Sequence, residues 1–329
     1  MLQARLDAFP RLALATYPTP LEPLSRLSRE LGRPIFIKRE DAADPVLGGN
    51  KTRNLEYLIA DALERGASKV VTFGGLHSNH ARLTAAAARR FGLEAHVLYF
   101  ERRPASLQGS ARLTELSGAR LHFVPLGGVR GGGMTIETAI RLAHLVTWSV
   151  VGPHYFVPVG GHSWRGCLGY VRAAKEVDEQ ARALGIERSW LLLPAGSGAT
   201  LAGLLAGCAL VGSSLRPLGI DVGGLWTRFP SSIARTATEV CARLGSDRTF
   251  AAADVPLVER TYVGERYAAP SAQCAAAVEL LARLEEIALD PIYTGKAFAG
   301  LLDLVERRAL GDDEPVIFLH TGGNPAEVV

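Results

Sequence analysis

Lys51 is the side chain of this 329-residue chain whose position most directly suggests covalent chemistry. It is one of five lysines among 36 basic residues, and it follows Gly48-Gly49-Asn50 at the start of a helical pattern. The positive end of a helix macrodipole disfavours a cation, so a lysine there indicates that a neutral amine is needed. A neutral lysine amine forms imines with aldehyde cofactors. A solvated lysine at a helix start remains the alternative on position alone.

A glycine-rich turn after the predicted strand 190–193 is the second candidate. It consists of Ala195, Gly196, Ser197, Gly198, Ala199 and Thr200. Such a turn is compatible with a strand–helix connection that binds nothing. It is also compatible with a dinucleotide fold in which Asp221 holds a ribose, although Leu201 stands where that motif has its third glycine. The two hydroxyls and the helix N-terminus favour a cup for one phosphomonoester.

Two further turns carry polar side chains after predicted strands. Ser78, Asn79 and His80 follow Gly74-Gly75, and their polar groups suit a carboxylate, although Ser78 alone is explained by N-capping, worth ~1 kcal/mol. Thr321 follows the last predicted strand. An imine-forming amine, a phosphate cup and a carboxylate cradle together indicate pyridoxal phosphate with a small amino-acid substrate.

The elements that position these groups alternate between apolar strands and helices along the chain. This alternation predicts an α/β fold with parallel sheets covered on both faces and ligands at the carboxyl ends of the strands. A helix is predicted over 52–65, with Leu55, Leu58 and Leu63 on one buried face. The length predicts two lobes.

Composition narrows the function further. The net charge of +3 without a basic stripe predicts no nucleic-acid partner, and no apolar run is long enough to predict a membrane span. The four cysteines are widely spaced with no histidine beside them, so no metal site is predicted. Buried cysteines in a reducing compartment and the absence of an apolar leader predict a cytoplasmic protein.

Five segments together resemble one family. These are Gly48–Arg53, Ser78–Arg82, the 195–200 turn, Leu289–Lys296 and His320–Gly323. They resemble the D-cysteine desulfhydrase and 1-aminocyclopropane-1-carboxylate deaminase family, pyridoxal-phosphate enzymes of the tryptophan-synthase β type (fold type II). The resemblance implies a small α/β domain at 52–160 inserted into a large cofactor-binding domain formed by 1–51 and 161–329. It implies a mostly parallel sheet flanked by helices in each domain, and a homodimer.

The resemblance also implies roles for individual residues. Lys51 carries the cofactor, Asn79 bonds its phenolic oxygen, and residues 195–200 bind its phosphate. Ser78 contacts the substrate carboxylate and acts in catalysis, Tyr293 flanks the ring, and Tyr267 lies at the reacting carbon. Thr294 and Thr321 complete the cofactor site. The implied substrate-binding residues are Ser78, Asn79, His80, Gly161 and His162.

Thr294 and Thr321 resemble the desulfhydrase branch, because the deaminase branch has Glu and Leu at these positions. A hydroxyl leaves the pyridine nitrogen largely neutral, and this weaker electron sink suits rapid loss of a β-substituent. Several residues depart from the family pattern; they are His77, His162, Trp164, Arg165, Trp226, Arg228 and Phe229. If Arg165 or Arg228 lines the pocket, it could hold a second anion on the substrate, such as the sulfonate of cysteate.

The predicted function is therefore α,β-elimination on a small amino acid, as in D-cysteine desulfhydrase, which releases a keto acid and ammonia. Deamination of 1-aminocyclopropane-1-carboxylate, or elimination from another β-substituted amino acid, is the nearest alternative. A nicotinamide dehydrogenase that uses Asp221 and a non-catalytic ligand-binding relative are two more distant ones. The leaving group and the preferred stereochemistry at Cα are not determined by these patterns.

Overall fold

Two sheets organise the protein in this computed structural model, which describes residues 2–125, 133–311 and 314–323. The strands, numbered in chain order, are β1 Leu21–Pro23, β2 Ile35–Arg39, β3 Lys69–Gly74, β4 Glu94–Tyr99, β5 Arg120–Phe123, β6 Tyr155–Phe156, β7 Ser189–Ala195, β8 Leu215–Asp221, β9 Leu257–Val258 and β10 Val316–His320. The α-helices are α1 Leu2–Asp7, α2 Ser25–Leu31, α3 Asn50–Glu64, α4 Asn79–Arg90, α5 Gly109–Leu116, α6 Ile136–Val151, α7 Trp164–Ala183, α8 Ala199–Val211, α9 Phe229–Arg243, α10 Ala272–Glu285 and α11 Thr294–Glu306.

The sheets are almost entirely parallel. The larger has the order β1-β2-β10-β7-β8-β9, in which β1 alone runs antiparallel to its neighbour, and the smaller has the order β5-β4-β3-β6. This confirms the predicted α/β fold with mostly parallel sheets. All strands of the smaller sheet lie between residues 69 and 156, inside the predicted insertion 52–160. That distribution supports the domain boundaries, which stay a prediction.

Helix α8 lies at the centre of the larger lobe. Every residue from Ala199 to Cys208 is buried, because the helix is apolar on all sides and packs between α7 and α9. Gly203 allows α7 to approach closely, since a Cβ there would lie 2.6 Å from Tyr170 Cβ. Within the described ranges, no helix is both long and apolar enough to span a membrane.

Helix α3 differs from its predicted one-sided pattern. Leu63, predicted to be buried, is 36% exposed, whereas the polar residues Arg53, Asn54 and Glu56 are buried. The reason is that α3 is covered by α7 on the side that the pattern predicts to be solvent-facing. Polar side chains on that side must therefore find partners inside the protein.

Arg53 is the centre of the resulting buried ion cluster. Its Nε donates to Glu40 Oε2 at 2.6 Å and its Nη2 donates to Glu176 Oε1 at 2.9 Å, while Lys38 Nζ binds the same Glu176 oxygen. The Arg53 guanidinium also lies 3.9 Å from the centroid of the Tyr17 ring. This cluster joins the chain before Lys51, helix α3 and helix α7.

The Glu40 carboxyl shows the balance of forces in this cluster. Burial acts to raise its pKa, but the charge and hydrogen bonds of Arg53 outweigh burial and the pKa is lowered. The stabilisation is therefore complete above the unfolded value near 4.5 and is lost as the pH falls through the lower folded pKa. Glu40 O also accepts from Gly49 N at 2.8 Å, which connects the cluster to the start of α3.

We expect Arg53→Ala to lower the free energy of unfolding by about 3–5 kcal/mol, because the Glu40 carboxylate is left buried without its main cation. Urea denaturation followed by circular dichroism measures the change. Lys175→Ala is the control, because the side chains of Lys175 and its ion-pair partner Glu179 are 42% and 62% exposed. Such an exposed pair should contribute at most about 1 kcal/mol to the free energy of unfolding. Equal small effects of the two substitutions would contradict this role for the cluster.

Candidate active site

A cavity of about 650 Å³ opens where loops from both sheets meet. Its walls include residues at or just beyond the carboxyl ends of β3, β4, β7 and β10, the edge where ligands gather in parallel sheets. Many of the predicted site residues line it; they are Lys51, Ser78, Asn79, His80, Gly196, Ser197, Tyr267, Tyr293 and Thr321. The remaining predicted residues do not line it; they are Ala195, Gly198, Ala199, Thr200, Thr294, Gly161 and His162, and His162 lines a second cleft instead.

Lys51 is the second residue of α3, and a close glycine contact fixes where the helix begins. Gly49 precedes the helix with φ 126°, and a Cβ there would lie 3.0 Å from Thr321 O. Asn50 N donates to the same carbonyl at 2.9 Å. The turn after β10 therefore holds the N-terminus of α3 and brings Thr321 to the cavity beside Lys51.

The amine of Lys51 is chemically uncommitted. The side chain is half-buried, and it makes no hydrogen bond or ion pair with any residue that the structure describes. Burial lowers its pKa to about 8. By contrast, the buried amines of Lys38 and Lys296 bind Glu176 and the carbonyl of Val263, respectively.

Two neighbouring imidazoles keep the surroundings of Lys51 uncharged. Burial and the Lys51 amine lower the pKa of His80 to about 3, and burial lowers the pKa of His162 to about 4. Both rings are therefore neutral at pH 7. Neither ring therefore places a positive charge beside the Lys51 amine.

The predicted phosphate turn connects β7 to α8. Gly198 adopts φ 81° before the first turn of α8, and Gly196 and Ser197 line the cavity. The Thr200 hydroxyl does not line it; Thr200 Oγ1 accepts from Asn50 Nδ2 at 2.9 Å and so links the turn to the start of α3. The N–H groups of a helix N-terminus thus lie near the same cavity as the Lys51 amine, which suits a phosphate.

The turn before α4 supplies polar groups on another wall. Ser78 Oγ accepts from Ala81 N at 3.2 Å and caps α4, which leaves the hydroxyl proton available to a ligand. Asn79 Oδ1 is buried without a hydrogen-bond partner among the described residues. A half-turn of the amide exchanges its oxygen and nitrogen, so this position suits either a donor or an acceptor on a ligand.

Tyr267 and Tyr293 form an aromatic wall. Their hydroxyls are hydrogen-bonded to each other, and their ring centroids are 6.1 Å apart at 60°. Ala268, next to Tyr267, adopts φ 61°, a conformation in which non-glycine residues are uncommon and which is frequent at functional sites. Arg266 and Glu101 also line the cavity, and no periodic or glycine signal marks them in the sequence.

Thr294 and Thr321 occupy different environments, because only Thr321 lines the cavity. Thr294 is fully buried and its hydroxyl donates to Asp290 Oδ2 at 2.6 Å, so it does not line the cavity. Thr321 does line it. Of the two threonines, only Thr321 is therefore placed to offer a hydroxyl at this wall.

Three candidates for anion or ribose binding lie elsewhere. Arg165 pairs with Asp61 at 3.2 Å in a second cleft, and Arg228 precedes α9, so neither lines the cavity. Asp221 accepts from Gly223 N and Gly224 N at 3.0 and 2.9 Å, which commits its carboxylate to a turn. The expectation that Arg165 or Arg228 holds a second substrate anion is therefore not supported by their positions.

The cavity fits pyridoxal phosphate on its own chemistry. It combines an uncommitted amine of lowered pKa, a helix N-terminus, an amide whose oxygen lacks a partner, and an aromatic wall. These correspond to what the aldehyde, the phosphate, the ring hydroxyl and the ring of the cofactor require. Placement of each side chain against each cofactor group stays a prediction.

Comparison with known proteins agrees with this chemistry. A D-cysteine desulfhydrase of Yersinia enterocolitica is 40% identical to this chain over 327 residues, which cover 99% of this chain and 97% of that relative. A D-cysteine desulfhydrase of Serratia proteamaculans is 38% identical over 332 residues, which cover 99% of this chain and 97% of that relative. A crystal structure of an ACC deaminase homologue matches with a TM-score of 0.84 and 35% identity, covering 98% of this chain and 94% of that one. Residues 12–322 match the model of the pyridoxal-phosphate dependent enzymes. The chain therefore belongs to the family of pyridoxal-phosphate dependent enzymes.

Proposed function

We propose that this enzyme eliminates the β-substituent of a small amino acid of the D-cysteine type and releases a keto acid and ammonia. The observation that carries the proposal is the uncommitted Lys51 amine, with a pKa of about 8, at the wall of a cavity that also holds Ser78 and the 195–200 turn. Relatives named D-cysteine desulfhydrase, aligned over 97% of their own length, support this substrate class.

Lys51 has two tasks in this proposal. Its amine would hold the cofactor, and the same amine in its neutral form would take the proton from Cα of a bound substrate. Pyridoxal phosphate, when bound, supplies an electron sink that makes both loss of this proton and departure of the β-substituent possible. General-base action of this kind contributes about 100- to 10,000-fold to the rate.

Binding and orientation fall to the other walls. The Ser78 hydroxyl and the amide of Asn79 would hold the substrate carboxylate near the N-terminus of α4, where the helix dipole favours an anion. Asn79, whose amide oxygen has no partner among the described residues, would also donate to the ring oxygen after a half-turn of the amide. Tyr293 would flank the ring, and Tyr267, hydrogen-bonded to it, would face the reacting carbons.

Deamination of 1-aminocyclopropane-1-carboxylate is the second candidate, supported by the ACC deaminase homologue among the structural neighbours. Thr321 at the cavity and Thr294 behind it favour the desulfhydrase branch, because the deaminase branch is expected to carry Leu and Glu there. Products separate the two activities. Elimination from D-cysteine gives sulfide and a three-carbon keto acid, whereas ring opening gives a four-carbon keto acid without sulfide.

A homodimer in the cytoplasm completes the proposal. The dimer rests on the family resemblance, and sedimentation velocity measures it. The cytoplasmic location is supported by four cysteines that are all buried and unpaired, as expected in a reducing compartment.

We expect Lys51→Ala to abolish both turnover and the visible absorbance of the bound cofactor, because no other amine reaches the cavity wall among the described residues. Keto-acid release from D-cysteine and an absorbance spectrum measure the two effects. Lys175→Ala, which changes an exposed lysine, should behave like the unmodified enzyme. A Lys51→Ala protein that kept both signals would remove the proposed role of this residue.

The lowered pKa of Lys51 gives a pH prediction. The neutral amine is the reactive form, and it predominates above its pKa of about 8 rather than above the ordinary 10.5. The rate at which cofactor-free protein captures pyridoxal phosphate should therefore rise with pH and reach half its maximum near pH 8. Stopped-flow absorbance measures this rate, and a midpoint near 10.5 would show that the amine is not desolvated.

Ser78→Ala is expected to have two separable effects. Loss of the cap on α4 should lower stability by about 1 kcal/mol, and loss of a substrate contact should raise KM more than it lowers kcat. Ser271→Ala is the matched control, because Ser271 caps α10 by accepting from Cys274 N at 3.2 Å. It should cost similar stability with unchanged KM, and equal KM values for the two variants would mean that Ser78 only caps its helix.

A further inference from the structure

Trp226 makes an unusual contact with the predicted phosphate turn. It lies between β8 and α9, is only 5% exposed and lines the cavity. Its indole N–H, the single donor of that side chain, donates to Gly196 O at 2.7 Å. A tryptophan that the family pattern does not predict thus binds the backbone of the turn directly.

Two successive carbonyls of the turn accept hydrogen bonds from the segment that follows β8. Ala195 O accepts from Val222 N at 3.3 Å, and Gly196 O accepts from Trp226 Nε1. In a planar trans peptide the carbonyl and the following N–H point in opposite directions. The contact from Trp226 therefore fixes the direction of the Ser197 N–H, which belongs to the cavity wall.

The backbone of Trp226 has a second role. It forms a parallel bridge with Met134, and Thr227 N donates to Met134 O at 3.0 Å. Met134 leads into α6, which packs against the smaller sheet; the shared core includes Ile136, Ala139, Ala143, Val71, Phe73 and Leu98. One residue therefore connects the turn after β7 with the helix that covers the other sheet.

Side chains from α6 and α9 strengthen this connection. Ser232 Oγ donates to Glu137 Oε2 at 3.1 Å, and Arg235 forms an ion pair with the same carboxylate. The Arg235 guanidinium and the Ser232 hydroxyl help to lower the Glu137 pKa against the effect of burial. Glu137 is consequently charged at neutral pH and links the start of α6 to α9.

We propose that Trp226 is a positioning residue that orients the 195–200 turn for the cofactor phosphate and makes that orientation depend on the docking of α6. The inference rests on the assignment of this turn to the phosphate. It predicts that the hydrogen bond from Trp226 stabilises binding of the phosphate but not of the pyridine ring. Cofactor affinity, rather than the chemical step, is the quantity that it changes.

Trp226→Phe tests this inference, because it removes the N–H and keeps most of the ring. Holoenzyme is dialysed against graded concentrations of pyridoxal phosphate, or of pyridoxal, which lacks the phosphate. We expect the Kd for pyridoxal phosphate to rise by about 3- to 10-fold, the effect of one buried hydrogen bond, and the Kd for pyridoxal to stay unchanged. Unchanged affinity for both, or an equal loss for both, would overturn the proposal.

Trp190→Phe is the matched control. Trp190 Nε1 donates to Leu310 O at 2.9 Å, so the same substitution removes the same kind of bond at a residue that does not line the cavity. Both Kd values should match those of the unmodified enzyme. A phosphate-specific loss in this control would show that removal of any such indole bond produces the effect and would overturn the assignment to Trp226.

Glu137→Gln tests the dependence on α6 and also serves if Trp226→Phe does not fold. It weakens the contact with Ser232 and Arg235 at a residue that does not itself line the cavity. We expect the Kd for pyridoxal phosphate to rise by about 2- to 5-fold with no change for pyridoxal. Equal affinities in this variant and the unmodified enzyme would overturn the connection to α6.

The same measurements separate this inference from the assignment on which it rests. If the unmodified enzyme binds pyridoxal as tightly as pyridoxal phosphate, the turn does not bind a phosphate, and both ideas fail. If the unmodified enzyme prefers pyridoxal phosphate and Trp226→Phe keeps the full preference, the turn binds the phosphate and only the role of Trp226 is wrong.

Discussion

The structure depends on holding one partly buried lysine amine at the start of a helix, where no carboxylate of the described residues pairs with it. Burial disfavours the charged form of this amine and lowers the Lys51 pKa to about 8. A rigid backbone around the amine preserves this pKa, because a movement that brought the amine into open water or beside a carboxylate would favour the charged form again. Gly49, packed against the Thr321 carbonyl, supplies that rigidity on one side.

The other side is supplied by the buried charges around Arg53. Glu40, Glu176 and Lys38 surround Arg53 there, and Arg53 follows closely in α3 after Lys51, whose amine has no counter-ion among the described residues. Charges inside a protein are tolerated when they are paired and hydrogen-bonded. Helix α3 therefore carries paired charge on the side that faces α7 and an amine of lowered pKa at its N-terminus, and the first arrangement anchors the second.

Convergence of loops explains how distant parts of the chain form one cavity. Parallel strands end at the same edge, so turns after β3, β7 and β10 meet although they are far apart in sequence. Contacts between loops then refine the geometry: Asn50 binds Thr200, Trp226 binds Gly196, and Tyr293 binds Tyr267. The predicted phosphate turn is in this way connected to the start of α3 and to Trp226, while the two tyrosines hold each other at another wall.

Local patterns were sufficient to predict the strand–helix alternation, the parallel sheets, the glycine turns and Lys51, because these features depend on neighbours within a few residues. Resemblance added Tyr267 and Tyr293, both of which line the cavity. The sequence did not show that Thr294 turns towards Asp290 or that Arg165 pairs with Asp61 in another cleft. Nor did it show the buried cluster around Arg53, or Trp226 against Gly196. These depend on contacts between residues that are distant in the chain or on a choice of side-chain direction, and only the packing of the complete fold decides them.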